Sequence, residues 1–96
     1  MDERAFVTGS EGFLGRHLLQ RLTAEEIPIT TYDRKLGEDI LDSERLADAL
    51  HASRATTVYH LAALADVRSA FRQPVEQREQ NFLGTANLLD AMRAAV

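Results

Sequence analysis

Apolar and polar positions change their period several times along the chain, and each change marks an element. Ala5, Phe6 and Val7 form a short unbroken apolar run, the pattern of a buried strand. From Leu14 the period lengthens. Leu14, Leu18 and Leu22 stand four apart with Leu19 beside them, one apolar stripe on a helix, while Arg16, Gln20 and Arg21 take the other side. Pro28 forbids further helix, and the β-branched and aromatic run Ile29-Thr30-Thr31-Tyr32 predicts a second strand. Strand, helix and strand in this span predict a right-handed βαβ unit with parallel strands. The segment Gly37 to Asp42 has room for a very short third strand. Ser43 then reads as the N-cap of a helix from Glu44 to His51, with Leu46 and Leu50 inward. Thr56 to Ala63 is nearly continuous in apolar character, as a strand buried on both faces should be. Residues 66–73 read as a loop or short helix. Pro74 opens a last helix, Val75 to Val96, anchored by Phe82, Leu88, Leu89 and Met92. Gly84 lies inside that helix, where a glycine costs about 1 kcal/mol against alanine, so it predicts a close packing contact.

Candidate chemistry concentrates between the first strand and the first helix. Glycines fall at 9, 12 and 15. Such a turn bares the unpaired N–H groups of a helix's first turn at the end of a strand, where they and the helix dipole can seat a pyrophosphate. Gly9 turns the chain sharply, Gly12 admits a phosphate without a Cβ in the way, and Gly15 lets helix and strand lie close. The competing reading is an ordinary structural turn. Asp33 lies 18 positions after Gly15, at the tip of the second strand. There a carboxylate can accept hydrogen bonds from the two hydroxyls of an adenosine ribose and repel a 2′-phosphate. Glu11 adds negative charge, and both favour NAD over NADP. Arg34 and Lys35 pull the other way, because a cation there can hold a 2′-phosphate. Asp33 also reads as a plain strand-ending turn residue. Asp39 and Ile40 are placed to contact adenine, or else are a loop acid beside a core isoleucine. Ala62, Ala63 and Ala65 would let a ligand pass close to the end of the last strand. His60 has no acid at a telling spacing and reads as a satisfied core histidine.

Composition narrows the classes. The 96 residues allow one domain at most, with 45% hydrophobic and 27% charged positions typical of a globular chain. With no cysteine, disulfides and thiolate metal sites are excluded, and His17, His51 and His60 are scattered without metal-ligand spacing. The net charge of −4 argues against nucleic acid as a partner. The acidic start, Met-Asp-Glu-Arg, is neither signal peptide nor membrane span, which makes a cytoplasmic location the expectation.

Four blocks together resemble the extended short-chain dehydrogenase/reductases, the NAD-dependent epimerases and dehydratases. Thr8-Gly9-Ser10-Glu11-Gly12-Phe13-Leu14-Gly15 is similar to the family's Thr-Gly-x-x-Gly-Phe-x-Gly. Tyr32-Asp33-Arg34 is similar to its second-strand end, and Glu38-Asp39-Ile40-Leu41-Asp42 to its adenine-side segment. His60-Leu61-Ala62-Ala63, then Pro74, Asn81, Gly84-Thr85 and Asn87-Leu88-Leu89, is similar to its fourth strand and following helix. The resemblance implies an α/β chain that is half of a Rossmann doubly wound parallel sheet, strand order 3-2-1-4, with helices on both faces, and residues 1–96 as a truncated NAD(P)-binding domain. It implies that Gly9, Ser10, Gly12, Phe13 and Leu14 line the pyrophosphate. Asp33, with Arg34 beside it, would meet the ribose, and Asp39 and Ile40 the adenine. Leu61, Ala62 and Ala63 would run along the cofactor, with Asn81 holding backbones near the nicotinamide side.

Two departures stand out. The turn Thr23 to Ile27 lacks the family's usual glycine. The family's catalytic Tyr-x-x-x-Lys is also absent: four beyond Tyr32 is Leu36, four beyond Tyr59 is Ala63, and Lys35 is the only lysine. Two functions are therefore expected. The chain is the NAD-binding portion of a nucleotide-sugar epimerase, dehydratase or reductase, or it is a stand-alone, non-catalytic nucleotide-binding or interaction module. A Ser10/His60/Asp hydrolase finds no support in the spacing. A half-sheet ending at its fourth strand leaves an unpaired edge, which predicts either a truncated product or self-association, through that edge or through the helix from Val75 to Val96.

Overall fold

A computed structural model describes residues 2–62 and 74–95 of the chain. Its elements are β1 (Ala5–Thr8), α1 (Phe13–Ala24), β2 (Ile29–Tyr32), a 3₁₀ turn (Arg34–Leu36), α2 (Ser43–Ser53), β3 (Thr57–His60) and α3 (Pro74–Ala95). β1 is central and parallel to both neighbours, pairing Ala5 with Ile29 and with Thr57, so the order is β2-β1-β3. All four β1 residues are buried, as a strand covered on both faces requires.

Side chains alternate across β1 and feed two cores. Ala5 and Val7 pack with Leu22 of α1, flanked by Leu18, Leu19, Ile29 and Tyr59. Phe6 packs on the opposite face with Tyr32, Leu46 and Leu50 of α2, and Leu88 and Ala91 of α3. The fold is thus an α/β, Rossmann-like parallel sheet of three strands among the described residues, with helices on both faces.

Several expectations need correction. The third strand does not form, so the order 3-2-1-4 is replaced by β2-β1-β3, where β3 is the strand expected as fourth. Local turns consume the backbone groups of 37–42: Gly37 is left-handed, Asp39 Oδ1 accepts from Leu41 N at 2.9 Å, and Asp42 N donates to Asp39 O at 3.0 Å. The cap of α2 is Asp42 rather than Ser43, its carboxylate accepting from Arg45 N at 3.2 Å. Leu14 leaves the α1 stripe at 53% exposure, and the buried row on that helix is Gly15 and Leu22. On α3 only Leu88 of the four expected anchors is buried; Phe82 is 72% and Leu89 59% exposed. The buried row is instead Gly84, Leu88 and Ala91, of which Gly84 and Ala91 are small enough to let α3 approach closely. A Cβ on Gly84 would overlap Ile40 Cδ1, which is the close contact that this glycine predicted.

Glu26 occupies the place of the missing glycine. It is left-handed at φ 58°, while Glu26 N donates to Thr23 O and Ile27 N to Leu22 O, both at 3.0 Å. These bonds close α1 in a Schellman motif, with the backbone strain carried by a residue that has a Cβ.

His60 ties the layers together. Its Nδ1 is 2.7 Å from Thr8 Oγ1 on β1 and its Nε2 is 3.0 Å from Thr85 Oγ1 on α3, the satisfied core histidine that the sequence suggested. Burial pushes its pKa below the usual histidine value. Since the unfolded side chain takes up a proton at a higher pH than the folded one, this site stabilises the fold fully above pH ~6.5 and loses that contribution as pH falls through the lowered folded value. Urea unfolding of wild type and His60→Gln should therefore show the wild-type advantage shrinking as the pH drops from about 7.5 to about 5.

Candidate functional site

The cleft of interest lies at the carboxyl ends of the parallel strands, where open α/β sheets bind ligands. Its floor is the turn after β1. Gly9 is left-handed at φ 69°; its N–H donates to Tyr32 O at 3.0 Å, and its carbonyl accepts from Gly12 N at 3.2 Å. A Cβ on Gly9 would sit 2.7 Å from Leu61 C and Ala62 N, so only glycine lets β1 turn against the end of β3. A Cβ on Gly15 would overlap Gly9 O and lie 2.7 Å from Ser10 O, so α1 starts in direct contact with the turn.

Gly12 is the N-cap of α1 in extended backbone, with no side-chain cap bond and no acidic residue in the first turn. The helical ladder begins with Arg16 N donating to Gly12 O at 3.0 Å. The N–H groups of Phe13, Leu14 and Gly15 precede that bond and have no acceptor within the helix. They make a cluster of donors at the positive end of the dipole, and Gly12, Phe13, Leu14 and Gly15 line the cleft. Phe13 is 78% exposed and packs on His17, ring centroids 4.5 Å apart.

Asp33 forms the facing wall. Its buried carboxylate accepts from Glu11 N at 2.9 Å through Oδ2 and from Lys35 N at 2.7 Å through Oδ1. One side chain thereby joins the glycine turn to the end of β2. Asp33 caps the 3₁₀ turn, as its reading as a turn residue had it, and it also lines the cleft with a free lone pair left on each oxygen. Arg34 and Lys35 are exposed beside it. The Tyr32 hydroxyl donates to Asp39 O at 3.0 Å. Burial, and then the nearby Asp42 carboxylate, raise its pKa above the ordinary tyrosine value.

The cleft has a volume of about 550 Å³. It gathers most of the residues singled out in the sequence. Gly9, Gly12, Phe13 and Leu14 lie on one side and Asp33, Arg34, Asp39 and Ile40 on the other. Leu61 and Ala62 line it from the end of β3, and Asn81 from α3. Ser10 is not brought to the surface: it is fully buried, and its Oγ has no hydrogen-bond partner. Ala63 lies outside the described residues. The carboxylate of Asp39 is occupied by its own turn, while Ile40 presses on Gly84 and accepts at its carbonyl from Asn87 Nδ2 at 3.0 Å. Of the other lining residues, Glu38 and Leu41 stood within the adenine-side block without a role of their own, and Gln80 escaped the sequence reading, its only signal being adjacency to Asn81. No His, Asp and Glu grouping suited to a metal occurs among the described residues, and no helix there is long and apolar enough to cross a membrane.

Residues 5–96 match the model of the family described as NAD dependent epimerase/dehydratase. The chain belongs to that family. The GDP-6-deoxy-D-mannose reductase of Pseudomonas aeruginosa is 39% identical over 94 residues, which cover 98% of this chain and 31% of that protein. The crystal structure of the Thermus thermophilus UDP-glucose 4-epimerase in complex with NAD superimposes with a TM-score of 0.83 at 34% identity, over 96% of this chain and 34% of that one. The dTDP-4-dehydrorhamnose reductase of Bacillus anthracis in complex with NADP gives a TM-score of 0.78 at 28% identity, over 99% and 34%. The chain thus spans about a third of the length of these epimerase/dehydratase-family relatives.

The contacts around Gly9 make a specific outcome expected. Gly9→Ala forces a Cβ into left-handed backbone, a strain of about 1–3 kcal/mol, and into the end of β3 as well. Chemical denaturation should show a loss of at least ~2 kcal/mol, whereas Gly12→Ala, whose Cβ would meet only Gly9 O at 3.4 Å, should cost about 1 kcal/mol or less.

Proposed function

We propose that residues 1–96 form the dinucleotide-binding unit of a nucleotide-sugar epimerase, dehydratase or reductase, and that the dinucleotide is NAD rather than NADP. The observation that carries this reading is a single cleft with bare helix N–H groups on one wall and the anchored carboxylate of Asp33 on the other. A diphosphate fits the first and a ribose diol the second. Gly9, Gly12, Phe13 and Leu14 hold the pyrophosphate, with Ser10 underneath shaping the turn. Asp33 takes the adenosine ribose, with Arg34 at its rim, and Asp39 and Ile40 border the adenine. Leu61, Ala62 and Ala63 follow the cofactor toward the nicotinamide, near Asn81. NAD, when bound, supplies hydride chemistry.

The relatives named above act on sugar nucleotides, which supports that substrate class for a longer form of the protein. A homo-oligomer and a cytoplasmic setting complete the proposal. A second reading, a non-catalytic nucleotide-binding or interaction module, draws on one feature. The only lysine, Lys35, lines the cleft beside Asp33 instead of following a tyrosine by four.

Calorimetric titration of the chain with NAD, NADP and ADP-ribose tests the reading. NAD and ADP-ribose should bind, and NADP more weakly. Asp33→Asn should weaken NAD by about tenfold, the size of one charge-assisted hydrogen bond. Gly12→Ala should weaken all three while leaving the fold intact. A folded chain that binds none of them would end the proposal.

A further inference from the structure

We propose that Glu38 is a second determinant of the dinucleotide's 2′ position, a positioning residue that holds Asp33 in place and sets a further negative charge against a 2′-phosphate. This rests on the dinucleotide reading of the cleft.

The loop from Asp33 to Glu38 is closed on itself. Asp33 O accepts from Leu36 N at 2.9 Å and from Glu38 N at 3.1 Å. Asp33 Oδ1 accepts from Lys35 N, and Gly37 N donates to Arg34 O at 3.0 Å. The ring is completed by the Glu38 side chain, whose Oε1 accepts from Asp33 N at 3.1 Å. Every polar group of Asp33 is therefore bonded, and the one bond supplied by another side chain comes from Glu38. That bond fixes the backbone from which the Asp33 carboxylate projects. It also holds the Glu38 carboxylate in the cleft wall, alongside Asp33.

The consequence is electrostatic. Arg34 and Lys35 are two cations at the rim and would by themselves welcome a 2′-phosphate. Asp33 and Glu38 line the same wall and offset both. A ribose diol carries no charge and is indifferent to Glu38, but a 2′-phosphate meets two carboxylates there instead of one. Glu38 should therefore weigh on NADP more than on NAD.

The test is calorimetry with NAD and with NADP on the full chain, comparing wild type, Glu38→Gln and Glu38→Ala, with urea unfolding of each. Glu38→Gln retains an oxygen acceptor for Asp33 N and removes the charge. It should tighten NADP about three- to tenfold with NAD within about twofold, the scale of one charge acting through partly solvated surroundings. Glu38→Ala also frees Asp33 N, so NAD should weaken as well and the unfolding midpoint should fall. A ratio of NADP to NAD affinity unchanged in Glu38→Gln, or equal changes for both, would reduce Glu38 to a loop brace and overturn the inference. Those results leave the dinucleotide reading intact, whereas a wild-type chain that binds neither dinucleotide removes both.

Discussion

Close approach of backbone to backbone at the end of β1 is the constraint on which the site depends. Gly9 lies against the carbonyl end of β3, and Gly15 lies against Gly9 and Ser10. Side chains at either place would push β3 or α1 outward. Without that contact the first turn of α1 would not stand at the mouth of the cleft, and its N–H groups would face water. The tight turn, the parallel sheet and the donor cluster are one arrangement of the chain.

Asp33 extends the arrangement sideways. Its carboxylate reaches the backbone of the glycine turn at Glu11 and of its own loop at Lys35. An acid at the end of β2 is thereby held at a fixed distance from the start of α1, across the strand pairing of β1 with β2. Preorganisation of this kind lowers the ordering cost of binding, because the groups that would meet a ligand are already in place. Thr8 plays a comparable part on the other side. Its Oγ1 accepts from Ala62 N at 3.2 Å and meets His60, so the end of β3 is tied to β1 by side chain as well as by strand pairing.

Membership of the epimerase/dehydratase family fits this division of labour. The described residues build a cleft at one end of a sheet, whereas the relatives that the chain resembles are about three times its length. The Tyr-x-x-x-Lys pair that the family resemblance implies is not found in these 96 residues. What the chain itself offers is binding geometry: donors, a carboxylate, and apolar walls from Ile40 and Leu61.

Elements and much of the cleft were legible in the residues. β1, α1, β2, α2 and β3 follow from local period and breakers, and Gly9, Gly12, Asp33 and Ala62 were singled out by residue type and spacing. These are short-range effects, set by φ, by capping and by alternation, and a sequence carries them directly. Which faces are buried was decided only by packing. Phe82 and Leu89 are large and apolar yet exposed, because α3 must come close to Ile40 and does so through Gly84 and Ala91. Leu14 left its stripe for the cleft because Gly15 beside it is pressed against the turn. The third strand was lost because Asp39 and Gly37 satisfy the backbone locally, and Glu38 became part of the site because its carboxylate closes a ring on Asp33. The turn bonds of 37–42 and the Glu38–Asp33 ring are local in sequence, but the residue pattern did not reveal them. The buried faces of α1 and α3 depend on what lies across space from a residue, and those neighbours are set by the tertiary structure.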